Sequence, residues 1–312
     1  MSAVSLRELT RSFGELVAVD GLTLDVGKAE LFGIVGPDGA GKTTTLRMLA
    51  GVLRPSAGEA WVEGVEVGTH PEAAKPHLAY MPQRFGLYDD LTVRENLDFY
   101  ADLYRVPKAE RPARLERLFA FSGLGEFQGR LAGKLSGGMK QKLSLSCCLI
   151  HQPRVLLLDE PTFGVDPISR RDLWLILHGM VAEGVTTLVS TSYLDEAERC
   201  DRVMLLHEGR MLALDRPSTL QATLDGVMLS LRTASPRQAR DVLRGTRGVL
   251  SASLFGETVH ALVAAPGAAT DALQRAGIDV LAARPVTPSL EDVFIHLVGT
   301  QPGTKSRKDH HG

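Results

Sequence analysis

Up to about residue 30 apolar and polar positions alternate, with Asp20-Gly21 as a turn signal, and this two-residue period predicts antiparallel strands. The pattern then changes. Leu31 to Val35 is a short apolar run, which reads as a strand buried on both faces, and Thr44 to Leu53 carries Leu46, Leu49 and Leu53 at helical spacing. From 85 to 150 the period is helical: Thr92 and Glu95 have capping-box spacing, Leu97, Tyr100, Ala101 and Tyr104 share an apolar face, and a second helix falls around 110 to 121. Val155 to Leu158 predicts a central parallel strand, and Thr187 to Thr191 and Val203 to His207 are strand-like, with Glu208-Gly209 as a turn. Beyond residue 220 the order is strand, helix, strand, strand, helix, strand, over Val227 to Leu231, Pro236 to Leu243, Val249 to Leu254, Val259 to Ala264, Ala268 to Ala276 and Val280 to Ala283. That order predicts a small split βαβ domain.

Three strings on this frame carry chemistry. GPDGAGKTT at 36 to 44, between the Leu31 strand and the following helix, matches the G-x-x-x-x-G-K-[ST] phosphate loop. Gly36, Gly39 and Gly41, with Pro37, Asp38 and Ala40 between them, let successive backbone N–H groups curl around phosphate. Lys42 adds a point charge at the β/γ-phosphates, and the Thr43 hydroxyl, followed by Thr44, is placed to ligate Mg²⁺. VLLLDEP at 155 to 161 sets Asp159 at a strand end, where it can hold Mg²⁺ or its water, and Glu160 one residue further, where it can orient or deprotonate an attacking water. The third string is LSGGM at 135 to 139, with Ser136 as a good N-cap and Gly137 and Gly138 leaving backbone donors exposed at a helix start.

With these strings in this order the chain resembles the ATP-binding subunits of ABC transporters, and LSGGM resembles their signature. The resemblance implies a P-loop α/β ATPase core with an antiparallel β subdomain and an inserted helical subdomain at about 85 to 150, together spanning residues 1 to 220. It also implies ATP and Mg²⁺ as ligands and a head-to-tail pair of subunits in which Ser136, Gly137, Gly138 and Met139 contact the γ-phosphate of ATP bound to the second subunit. Gln83 in YMPQ resembles the Q-loop glutamine, which touches Mg²⁺ and carries motion toward the membrane partner. Asp166 in GVDP resembles the D-loop aspartate, and Phe13 in RSFG the aromatic residue that stacks on adenine. The form of the signature and the closing PSLEDVFIHLVG resemble exporter-type subunits, which implies export through a separate membrane permease, a homodimer or heterodimer, and a place on the cytoplasmic face of the cell membrane.

The chain departs from the family pattern at three places. Asp38 stands where Asn is usual, and Met139 where Gln is commoner. Ser192 in STSYLDEAE aligns with the switch histidine; it is shorter and has no imidazole for the γ-phosphate. The isolated chain is therefore expected to be a slow ATPase unless Tyr193, Thr191 or a water takes over the contact, and the alternatives to an exporter subunit are a soluble non-transport ABC ATPase or a regulatory low-activity nucleotide-binding partner.

Composition narrows the picture further. The 312 residues, 44% hydrophobic with a net charge of −2, give room for two domains and no basic excess that would point to nucleic acid. No apolar run approaches the length of a membrane helix, and the start is too polar for a signal peptide. Cys147, Cys148 and Cys200 form no C-x-x-C pair and fit a reducing compartment. Residues 221 to 300 form the expected α+β domain, and 301 to 312, with His310 and His311, a polar tail of the kind that stays disordered.

Overall fold

The computed structural model describes residues 2–84, 86–265 and 267–300. Contacts divide the chain into two compact units, residues 1–211 and from 212 onward. The first unit contains β1 (Ser2–Phe13), β2 (Leu16–Gly27), β3 (Leu31–Val35), α1 (Lys42–Leu49), β4 (Ala57–Val62), β5 (Val65–Glu66), α2 (Pro71–Ala74) and β6 (Leu78–Met81). It continues through α3 (Val93–Leu103), α4 (Arg111–Ser122), α5 (Gly137–Leu149), β7 (Val155–Asp159), α6 (Pro167–Ala182), β8 (Thr186–Thr191), α7 (Leu194–Ala197) and β9 (Arg202–His207). The division falls within β10 (Arg210–Asp215). The second unit follows with α8 (Pro217–Ala222), β11 (Val227–Thr233), α9 (Pro236–Arg244), β12 (Val249–Phe255), β13 (Thr258–Val263), α10 (Gly267–Arg275), β14 (Val280–Pro285) and α11 (Leu290–Thr300).

Two sheets build the first unit, in the orders β2-β1-β4-β5 and β10-β9-β3-β8-β7-β6. The first is antiparallel, and in the second β9, β3, β8, β7 and β6 pair in parallel. β3 and β7 are buried at every position, which is why they lack alternation and read as continuous apolar runs. Their C-terminal ends, with that of β8, open on one edge of the sheet, where such sheets carry their ligands. The expected capping box is present, with Thr92 and Glu95 satisfying each other's backbone at the start of α3.

Two local expectations are corrected. Asp20-Gly21 is not the β1–β2 turn; Gly14 and Glu15 make that turn, and Gly21 lies inside β2 where the pairing slips between Leu9↔Leu22 and Arg11↔Val19, a bulge. The helix after the phosphate loop stops at Leu49 rather than continuing to Leu53. Gly51 takes φ 68°, its N–H donates to Met48 O at 3.1 Å and that of Val52 to Arg47 O at 3.0 Å, a Schellman stop that needs a residue free to adopt the left-handed region.

In the second unit the strand order β12-β13-β11-β14 has every neighbouring pair antiparallel, so β13 lies between the two strands that α9 connects. Leu229, Leu231, Ala261 and Val263 from the sheet pack with Ala239 and Leu243 of α9 and Ala272 and Leu273 of α10 as its core. Ser289 and Asp292 cap α11 reciprocally, and Asp292 also meets His260 Nδ1 of β13 at 3.1 Å.

Candidate nucleotide site

The phosphate loop is built by close packing. Gly41, the N-cap of α1, has φ 107°, and a Cβ there would stand 2.5 Å from Ala18 O; a Cβ on Gly36 would run into Leu206 O. The Gly41 cap has no side-chain partner, so the first N–H groups of α1 remain available to an anion, with Pro37, Asp38 and Gly39 exposed above them and Ala40 buried. Asp38 therefore sits on the outer face of the loop. Lys42, only 5% exposed, donates from Nζ to Gly36 O at 2.8 Å and Pro37 O at 3.1 Å, and pairs with Glu160 Oε1 at 3.0 Å.

Asp159 and Glu160 converge on this loop from the end of β7. Thr43 Oγ1 donates to Asp159 Oδ1 at 2.9 Å, Ser190 Oγ donates to the same oxygen at 2.7 Å, and Tyr80 OH donates to Oδ2 at 3.2 Å. Burial, with the Asp159 charge beside it, pushes the Tyr80 phenol up to about 12, so it keeps its proton. Glu160 takes φ 51°, which a non-glycine residue adopts only under restraint. Its N–H donates to Ser190 O at 3.2 Å and to Ser190 Oγ at 3.0 Å, and these bonds hold the turn. Ser192 Oγ lies 2.9 Å and 3.0 Å from the two Glu160 carboxylate oxygens. Ser192, expected at the switch position, is thus a donor to Glu160.

Below this layer lies a network the sequence reading did not pick out. Glu196, buried on α7, accepts from Thr162 Oγ1 at 2.7 Å and Thr191 Oγ1 at 3.2 Å, with Arg170 Nε 3.2 Å away. Burial raises the Glu196 pKa above the usual glutamate value, and the Thr162 hydroxyl and Arg170 oppose that shift.

Most of the other motif residues lie on the surface. Ser136 caps α5 and accepts from Met139 N–H at 3.3 Å; Ser136 and Gly137 are exposed, Met139 is half-buried, and Gly138 is buried so tightly that a Cβ would collide with Ser169. Asp166 caps α6, accepting from Ser169 and Ile168 N–H, and the Ser169 bond holds its carboxyl below the usual range. Gln83 is exposed on the loop after β6. Phe13 is 46% exposed at the end of β1 with the Arg11 guanidinium 4.5 Å from its ring centroid. The structure therefore brings Lys42, Thr43, Asp159, Glu160 and Ser192 into direct contact, and no such bond ties Gln83, Ser136, Asp166 or Phe13 to that cluster. Tyr88, on the segment after Gln83, is exposed with its ring 4.6 Å from Phe99.

A loop cradle on a parallel strand, a lysine turned into it and a carboxylate pair at the end of β7, two places away in the sheet, define a P-loop ATPase. The family model described as ABC transporter matches residues 19–163. The Nod factor export ATP-binding protein I of Rhizobium sp. (strain N33) is 36% identical over 302 residues, covering 96% of this chain and 98% of that protein. The chain belongs to the ABC transporter ATP-binding subunits. The probable multidrug ABC transporter ATP-binding protein YbhF of Escherichia coli (strain K12) is 47% identical over 271 residues, but the chain spans 46% of that relative's length. A solved ATP-binding subunit of an ABC transporter is 29% identical with a TM-score of 0.65, covering 71% of this chain and 93% of that one. Among the described residues no helix is long and apolar enough to cross a membrane.

Proposed function

We propose that this chain is the ATP-hydrolysing subunit of an exporter, energising a separate membrane permease and held through it at the cytoplasmic face. The observation that carries the reading is the Lys42–Glu160 contact at 3.0 Å, which puts a carboxylate able to take a proton from water beside the lysine that faces the β/γ-phosphates. Thr43 Oγ1 and Asp159 Oδ1, 2.9 Å apart, are hard oxygen donors of the kind Mg²⁺ takes, and Gln83 is the third proposed ligand. When bound, Mg²⁺ neutralises charge on the phosphates; the chain's own residues orient them on the loop N–H groups and accept the proton of the attacking water at Glu160.

In this reading two subunits, identical or different, face each other across ATP. The exposed N-terminus of α5, residues Ser136 to Met139, meets the γ-phosphate held by the partner, Asp166 lies at the same seam, and Phe13 stacks on adenine. Export names on relatives of nearly the whole length support the direction of transport. Glu160→Gln keeps the size and polarity of the side chain and removes the base, so it is expected to bind ATP, nearly stop turnover and accumulate as a dimer with ATP and Mg²⁺. A variant that stays monomeric and hydrolyses at the parental rate would refute the assignment.

Ser192 supports a second reading, in which this cassette is the slow member of an unlike pair. A serine has no imidazole to offer the γ-phosphate, and its hydroxyl donates to Glu160 instead. Restoring the ring with Ser192→His is expected to raise steady-state hydrolysis roughly tenfold, well inside the loss of about 3 kcal/mol that accompanies a missing transition-state donor. An unchanged or lower rate would remove the reading.

A further inference from the structure

One buried hydroxyl ties together the two carboxylate residues on which the proposed chemistry rests. Ser190 lies in β8, opposite Asp159 of β7 in the parallel pairing, and is 0% exposed. Its Oγ donates to Asp159 Oδ1 at 2.7 Å and accepts from the Glu160 N–H at 3.0 Å. The same N–H reaches Ser190 O at 3.2 Å, so this donor is shared between the carbonyl and the hydroxyl of one residue. β8 is buried at every position, and a hydroxyl there costs free energy unless it is bonded; this one is used both as donor and as acceptor. The two bonds close a small ring across the Asp159–Glu160 peptide, where β7 ends and Glu160 takes φ 51°. Donation into a carboxylate polarises the hydroxyl and makes it a better acceptor for Glu160, so each bond strengthens the other. Thr43 Oγ1 donates to the same Asp159 oxygen at 2.9 Å, which carries the chain of bonds on to the start of α1.

The carboxylate end of Glu160 is held separately, with Lys42 Nζ at 3.0 Å and Ser192 Oγ at 2.9 Å from Oε1. In the proposed reading Lys42 also serves phosphate, so it does not fix the base alone. The anchor at Ser190 sets where the Glu160 side chain leaves the backbone, whichever group Lys42 faces. Placement matters at this point because an error of about 1 Å costs roughly a hundredfold in rate. We infer that Ser190 is a positioning residue for ATP hydrolysis, its single hydroxyl fixing the cation-facing carboxylate of Asp159 and the base Glu160 in one relative placement. The inference rests on the reading of Glu160 as the base and of Asp159 as a residue that meets the cation. Ser190 contributes no donor to the phosphate cradle, so losing its hydroxyl slows turnover and spares ATP binding.

The full chain carrying Ser190→Ala is compared with the parent in steady-state hydrolysis and in calorimetric titrations with ATP, with and without Mg²⁺. The expected result is a kcat lower by about tenfold or more with KM for ATP within about twofold of the parent. ATP affinity without Mg²⁺ should match the parent, and the gain that Mg²⁺ adds should shrink about threefold or more, because Asp159 loses a bond that orients it. Ser190→Thr returns a hydroxyl on the same carbon in a residue suited to strands, and should bring kcat back to within about threefold of the parent. Should Ser190→Ala fail to fold, Ser190→Cys, close in size and with only a weak S–H donor, takes its place in each measurement. A parental kcat, an undiminished gain from Mg²⁺, or equal losses in Ser190→Ala and Ser190→Thr overturns the inference. Glu160→Gln separates this inference from the reading beneath it. If that variant hydrolyses at the parental rate, both fall; if it is inactive while Ser190→Ala keeps the parental kcat, only the role of Ser190 falls.

Discussion

In the floor of the phosphate loop Lys42, Asp159 and Glu160 are buried and each is held by partners inside the chain, whereas on the rim Gln83, Ser136, Gly137 and Asp166 are exposed. Both sets were found by the same kind of short motif. The floor is complete as a property of one folded chain, because burying these charges without partners would cost more than the fold can supply. The rim has no such constraint. Its helix starts are satisfied by their own caps at Ser136 and Asp166, and their outer faces gain an electrostatic task only if something docks on them.

The largest effect that would test this contrast comes from Lys42→Ala. Removing the cation leaves the Glu160 carboxylate buried beside only the Ser192 hydroxyl, so a loss of about 3 kcal/mol in stability is expected. ATP affinity of the isolated chain should fall roughly a hundredfold, since the preorganised anion site loses its point charge. Denaturant and nucleotide titrations measure both, and a chain as stable and as tight-binding as the parent would erase the distinction between floor and rim.

Ser136→Ala is the matching change on the rim. It removes a helix cap worth about 1 kcal/mol. Nucleotide affinity of the isolated chain should stay within about twofold of the parent, because the rim adds nothing to monomer binding. Dimer formation with ATP, followed by sedimentation in a Glu160→Gln background, should be impaired. Equal nucleotide-binding defects in Ser136→Ala and Lys42→Ala would argue that the signature acts within its own chain.

The smallest effect belongs beneath the floor. Burial raises the folded-state pKa of Glu196, so the native chain holds this proton more tightly than the unfolded one. Its contribution to stability therefore declines as pH rises from the usual glutamate value of 4.5 through the raised folded value, and is level above that. Glu196→Gln keeps the acceptor for Thr162 and Thr191 and loses the titration. Relative to the parent it should gain up to about 1 kcal/mol as pH rises through that window, measured by thermal unfolding between about pH 4 and pH 8. A difference between the two chains that does not change with pH would show that the Arg170 contact fully offsets burial.

Much of this arrangement was legible in the sequence where position along the chain decides structure. The apolar runs of β3 and β7, the Thr92–Glu95 cap and the strand-helix order of the second unit depend on neighbours a few residues apart. The end of α1 was misread because leucine spacing continues past Gly51, and the stop is a backbone bond pattern that periodicity does not register. Ser190, Tyr80 and Glu196 were missed for a different reason. Their partners lie 31, 79 and 34 residues away, and a lone serine, tyrosine or glutamate carries no local sign of what the sheet will place beside it. The best available hint was the polar tail of β8, where Ser190 and Thr191 interrupt a strand otherwise suited to full burial.

The contact between Gly138 and Ser169 has a structural consequence. Helices α5 and α6 begin side by side, and an ideal Cβ on Gly138 would stand 3.6 Å from Asp166 Oδ2, beyond its collision with Ser169 itself. A side chain at position 138 would force the two helix starts apart, so the glycine is what lets them pack this closely. That close packing sets the Ser136 cap beside the Asp166 turn, which follows on the segment from Glu160 to Gly164.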